Sequence, residues 1–215
     1  MHREIIDYFQ KLKIDYPFLF KNNRVLEAGS LNINGSAREH FDDCEYFGID
    51  AKKGNGVDWW GIFHEWEEEP NATFDVCVST ELLEHDPFWV MSLQHMCRKL
   101  KRGGSIILTY AGPARAPHGV NFYQSPNNPN EVRKEYHPWG PEADYYWSPK
   151  PEMVLYELLS IISFRKIEYE AFREGQDICL LCMGSYNLMP NYHARGQIAL
   201  LKKHNRTEIS GAEKK

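Results

Sequence analysis

The chain has 215 residues, with 25 basic and 30 acidic side chains and a formal net charge of −5. That length fits one domain spanning 1–215, and the acidity argues against a protein that grips long nucleic acid. No apolar run reaches membrane-spanning length, the opening Met1-His2-Arg3-Glu4 leads into no apolar signal core, and the five cysteines are odd in number. A reducing, cytoplasmic setting is therefore expected rather than a disulfide framework or a membrane.

The first regular element predicted is a short buried strand at 24–28, ending at Gly29. A helix is expected at 34–41, a second strand at 46–50, a third at 57–62 and a fourth at 74–79. Asp86-Pro87 offers a helix cap and a proline at the first helical position. Val90, Leu93, Met96, Cys97 and Leu100 then recur at helical spacing, and Gly103-Gly104 supplies a stop signal. A fifth strand is expected at 105–110. Ser148-Pro149 opens a helix running to Ile162, and strands follow at 164–172 and 177–183. Strands alternating with helices predict an α/β, Rossmann-like, doubly wound parallel sheet with helices on both faces. Only Arg173–Gln176 separates the last two strands, so they form a hairpin and the last is antiparallel.

Residues 111–151 break this pattern. They hold eight of the twelve prolines and seven aromatics, with no Leu, Ile or Met. Proline removes a backbone donor and fixes φ, so no long helix or central strand crosses the stretch. It contains too many rings for a solvated linker, and a lid or substrate loop is expected. A loop that only patches the core is the plainer explanation. The basic segment 202–215 is expected to be a flexible tail.

Ligands of open α/β sheets bind at the carboxyl ends of the strands. Here those ends carry Glu27-Ala28-Gly29-Ser30 and, 21 residues after Gly29, Asp50. A glycine lets backbone approach a ligand closely, and an acid at that distance is placed to accept from both hydroxyls of a ribose. Either feature alone is common in ordinary turns; together they favour an adenosine-type ligand. The glycine series needed to seat a pyrophosphate is missing, with Leu31 and Asn32 in its place, and no phosphate loop occurs elsewhere. This disfavours a nicotinamide oxidoreductase. A sulfonium with an amino-acid tail suits the neighbouring carboxylates Glu27, Glu81 and Glu84 better.

Four stretches in order, 25–29, 47–50, 74–85 and 100–109, resemble the class I S-adenosylmethionine-dependent methyltransferases of the small "methyltransferase type 11" kind. The resemblance implies a seven-stranded sheet with an antiparallel last strand, S-adenosyl-L-methionine as cofactor and S-adenosyl-L-homocysteine as product. It also implies a cofactor site drawn from Glu27, Ala28, Gly29, Ser30, Asp50, Ala51, Ser79, Thr80 and Glu81. Ile62 and Phe63 would flank the purine, with Glu65 able to accept from its amino group. The later glycines of the family's loop are replaced by Leu31 and Ile33.

Methyl transfer is an in-line displacement helped chiefly by positioning, and an oxygen or nitrogen acceptor can need a base. His85, just past the fourth strand, and His118 and His137, in the lid, are the candidates, set against helix capping and solvation as their simpler roles. Tyr110, Phe122, Tyr123, Tyr136 and Trp139 are candidates to line an acceptor pocket. His2, His95, His193 and His204 are expected on the surface, and Glu67-Glu68-Glu69 in a solvated turn. Cys179 and Cys182 lie three apart in a strand, on opposite faces, so no metal site is assigned to them or elsewhere. A small or medium-sized acceptor is expected. The alternatives are a nucleic-acid or nucleotide methyltransferase and a non-catalytic binding module; oligomeric state is not readable.

Overall fold

The computed structural model describes residues 2–118 and 146–187, and the backbone of 208–210. Its strands are β1 (Arg24–Ala28), β2 (Glu45–Asp50), β3 (Trp59–Trp60), β4 (Phe74–Thr80), β5 (Leu100–Ala111), β6 (Ser163–Phe172), β7 (Asp177–Asn187) and β8 (Glu208–Ser210). They form one sheet in the order β3-β2-β1-β4-β5-β7-β6-β8. The pairs from β3 through β5 are parallel. β7 runs antiparallel between β5 and β6. The seven expected strands are thus all present, with the hairpin as expected. The short β8, antiparallel on the outer edge of β6, falls inside the segment expected to be a flexible tail.

Three helices cover the sheet: α1 (Arg3–Asp15), α2 (Trp89–Lys99) and α3 (Pro151–Ile161). The strands alternate their side chains between the two faces. Leu26, Cys77, Ile106, Leu108, Leu180 and Cys182 pack with α2 and α3 on one side. Val25, Val76, Val78, Ile107, Cys179 and Leu181 pack on the other under α1, through Ile5, Tyr8, Phe9 and Leu12. Cys179 and Cys182 therefore sit on opposite faces, as their spacing requires. No helix among the described residues is long and apolar enough to cross a membrane.

Four local expectations are corrected. The helix expected at 34–41 is only a 3-10 turn, Ala37–His40, opened by Ser36 Oγ accepting from the Arg38 N–H. α2 starts at Trp89 rather than Pro87, because Asp86 Oδ1 accepts from the Phe88 N–H and its carbonyl from Trp89, forming a turn ahead of the helix. α2 also ends before the glycines, which fall inside β5. His95 is fully buried, not on the surface. Its ring meets Phe63 edge-on with centroids 5.1 Å apart, and burial lowers its pKa to about 4. Nor is the acidic run merely solvated: Glu67 and the Glu69 carbonyl hold the buried Lys99 ammonium at 2.8 and 2.6 Å.

Candidate functional site

The strand order reverses direction between β1 and β4, where an open α/β sheet forms its ligand crevice. β1 delivers Glu27, Ala28, Gly29 and Ser30 to this edge. Gly29 takes φ +81°, and a Cβ there would stand 3.1 Å from that of Leu82 in the turn after β4. The glycine thus lets two turns close on one another. Glu27 is buried, its Oε2 accepts the Tyr46 hydroxyl at 2.8 Å, and burial raises its pKa to about 7.

At the end of β2, Asp50 accepts the Leu31 N–H on Oδ2 at 3.1 Å and the Lys52 N–H on Oδ1 at 2.9 Å. Burial raises its pKa. Each carboxylate oxygen has a second lone pair, so two acceptor positions remain. Ala51 lies beside it, half-buried. The Leu31 bond ties the start of the 31–33 segment to the end of β2, and the Lys52 bond closes the turn that follows Asp50.

β4 brings Ser79 and Thr80 to the same edge, and Glu81 follows at φ +55°. Ser30 and Ser79 are buried, and neither hydroxyl has a hydrogen-bond partner among the described residues; the same holds for Glu81 Oε1. Buried polar atoms without partners are uncommon in a settled core. All three lie at the carboxyl ends of β1 and β4, with Ser30 Oγ turned toward Gly48 of β2, and polar atoms left open at that edge fit a surface built for a polar ligand.

Beyond Glu81 the charged groups pair. Arg115, in the loop after β5, contacts Glu81 Oε2 and lies 3.2 Å from Asp177 Oδ1, which Arg173 also holds at 2.7 Å. Arg115, Asp177 and Tyr146 carry no motif in the sequence. The one signal for Arg115 is a basic residue four positions after the end of an apolar strand. Glu84 is fully buried, with neither oxygen partnered among the described residues. Burial, and then the charge of Glu81, push its pKa up to about 8.

Two of the three expected catalytic histidines are brought together. The His85 and His118 ring centroids are 5.1 Å apart, and Tyr146 lies 5.3 and 5.1 Å from them. His118 Nδ1 is 3.2 Å from the Ala116 carbonyl, and burial together with Arg115 lowers its pKa. His137, Phe122, Tyr123, Tyr136 and Trp139 lie outside the described residues. Ile62 is half-buried, whereas Phe63 packs into the core against His95, so its ring is not offered to a purine. Tyr110 is likewise in the core, fully buried, with no partner for its hydroxyl among the described residues. Glu65 is exposed.

No family model matches the chain, and no curated protein matches it by sequence. Solved structures do. A Listeria monocytogenes protein described as an S-adenosylmethionine-dependent methyltransferase matches over 82% of this chain and 97% of its own, at 16% identity and TM-score 0.52. The N-methyltransferase NodS of Bradyrhizobium japonicum, solved with S-adenosyl-L-homocysteine, matches over 86% of each chain at 15% identity and TM-score 0.53. The [4+2]-cyclase SpnF matches over 84% of this chain and 82% of its own, at 12% identity and TM-score 0.56. The likeness speaks for architecture, and by it the chain has the fold of the class I S-adenosylmethionine-dependent methyltransferases.

Proposed function

We propose that the protein transfers a methyl group from S-adenosyl-L-methionine to the oxygen or nitrogen of a small or medium-sized acceptor. Fold alone does not carry an activity, as the cyclase among the structural neighbours illustrates. The observation that carries the reading is the placement, at the carboxyl ends of β1, β2 and β4, of Gly29, the Asp50 carboxylate and the partnerless polar atoms of Ser30, Ser79 and Glu81. This donor and acceptor set fits the cofactor. Asp50 accepts from the ribose hydroxyls, the Gly29 turn admits the amino-acid portion against backbone, and Glu27 and Glu81 favour a cation. Ala28, Ala51, Ile62 and Thr80 complete the walls.

The cofactor supplies an electrophilic methyl on a positively charged sulfur, and the sulfur leaves as a neutral thioether. The chain's residues hold the acceptor in line with that bond and keep water away, an effect that can be worth ~7–11 kcal/mol at best. His85 and His118 mark the acceptor side, where they take up the acceptor's proton directly or through what they bind. The depressed His118 pKa keeps its imidazole neutral near pH 7, as a base requires.

Calorimetric titration with S-adenosyl-L-methionine and S-adenosyl-L-homocysteine tests the reading, and failure of both to bind would overturn it. Asp50→Ala is expected to weaken binding at least about tenfold, because two ribose donors lose their acceptor. Unchanged affinity would remove Asp50 from the site.

A further inference from the structure

β4 and β5 pair in parallel, with Thr80 opposite Thr109, so the loops that follow them leave the same edge of the sheet. Glu84 and His85 lie in the first loop and His118 in the second. One ligating atom from each falls within 4.8 Å of the other two. A side-chain carboxylate and two imidazoles form a donor set suited to divalent transition ions.

Proximity alone would prove little; the state of Glu84 adds to it. Glu84 is fully buried, and among the described residues neither oxygen has a well-aligned hydrogen-bond partner, only the backbone N–H groups of Glu84 and Ala111 nearby. The nearby cations are already neutralised, Arg115 by Glu81 and Asp177, and Arg173 by Asp177. A buried carboxylate left without cation or well-aligned donor is costly unless it is protonated or takes up a cation. His118 adds orientation. With Nδ1 donating to the Ala116 carbonyl, its Nε2 lone pair is free to ligate, an arrangement in which a backbone acceptor fixes the tautomer of a metal-bound histidine.

We propose that Glu84, His85 and His118 bind one divalent transition-metal ion. Bonds of about 2.0–2.1 Å set ligand atoms roughly 3.4 Å apart in a tetrahedron, so modest side-chain rotation closes the site. Three protein ligands plus an open position is the pattern of a catalytic rather than a structural site. The open position would take the acceptor's hydroxyl or amine and lower its pKa, so that its proton leaves to solvent as the nucleophile forms. This last step rests on the methyltransferase reading; the ion site does not.

The test uses the full, tag-free chain. Stripped of metal and titrated with Zn2+ against a chelating indicator of known affinity, it is expected to take up one ion per chain. His118→Ala, in a half-exposed loop position, is expected to weaken uptake at least about tenfold, as is Glu84→Gln, which keeps the side chain's shape. Co2+ provides an independent readout, since its visible absorption should change in both variants. Circular dichroism melts establish that each variant is folded. Absence of stoichiometric uptake, or uptake unchanged in folded His118→Ala, overturns the proposal. Cofactor titration is run in parallel with and without chelator. An ion bound and lost in the variants supports the site whether or not the cofactor binds. A cofactor bound with no ion taken up overturns the site and leaves the methyltransferase reading standing.

Discussion

At the scale of single residues, Glu27 combines a predictable position with an unpredictable state. The sequence places an acid inside the first turn; the structure buries it, with Tyr46 as its hydrogen-bond donor. Burial holds the carboxyl at about 7 against an ordinary 4.5. A folded value above the unfolded one means that Glu27's contribution to stability is complete below pH 4.5 and is lost as the pH rises through 7. Glu27→Gln removes that titration. Between pH 5 and pH 8 the variant should therefore gain stability relative to the parent by about 2–3 kcal/mol. Parallel thermal melts at the two pH values would show this as several degrees. A difference that stays flat with pH would mean that solvent reaches the carboxylate.

At the scale of elements, the strands were legible and the short connections were not. β1, β2, β4, β5 and the β6–β7 pair are apolar runs bounded by turn residues, a pattern that needs no tertiary knowledge. The 34–41 segment has a helix-like apolar spacing, yet Asn34-Gly35-Ser36 ahead of it leaves room for only one 3-10 turn. α1 has no place in the sequence reading, although Ile5, Tyr8, Phe9 and Leu12 form a helical stripe; the charged residues between them obscure it. The same limit applies to the site. Gly29, Asp50, Glu81 and His85 announce themselves at strand ends. Arg115 and Tyr146 come to the site only because β5 and the segment before α3 return to one edge. The burial of His95 is not legible from its polarity, because it lies on a helix whose buried face is unusually wide, extending to Ser92 and Lys99. Gly48 shows how tightly an element can be specified. A Cβ there would lie 2.4 Å from the Gly56 carbonyl oxygen and 2.6 Å from Ser30 Oγ. The first of these is backbone and cannot rotate away. Gly48→Ala should cost about 2–4 kcal/mol in urea denaturation and weaken cofactor binding, because it displaces the Ser30 turn. A variant as stable as the parent would mean that this turn moves freely.

At the scale of the whole molecule, the two faces of the sheet are covered in different ways. α2 and α3 both serve one face, joined by Trp66, Phe74 and the β7 residues Ile178, Leu180 and Cys182. On the other, the connection after β1 contributes the 3-10 turn Ala37–His40, and α1 is the one α-helix among the described residues that packs there. Phe9 is at its centre, stacked on His40 with centroids 5.1 Å apart and edge-on to Phe20 at 6.3 Å. Beneath it lie Val25, Val76, Val78 and Ile107, from β1, β4 and β5, three of the strands whose carboxyl ends build the candidate site. The helix therefore supports the crevice from below, and its N-terminal end meets the charged rim, with Glu4 4.0 Å from Arg173 and His2 3.9 Å from Glu81. Phe9→Ala should destabilise the fold by about 3–5 kcal/mol, the range for deleting a buried ring. At a temperature where the variant is still folded, its cofactor affinity should stay within about twofold of the parent's. Removing residues 1–16 would uncover the whole apolar face at once, and the shortened chain should show no cooperative melt and should aggregate. If it melted cooperatively with affinity intact, the strands would be holding their own register and α1 would be an accessory to the sheet. The physical reason to expect collapse is that Val76, Val78 and Ile107, each almost wholly buried, belong to central strands. Exposing them to water would loosen the strands that carry Ser79, Glu81 and His118 to the edge of the sheet.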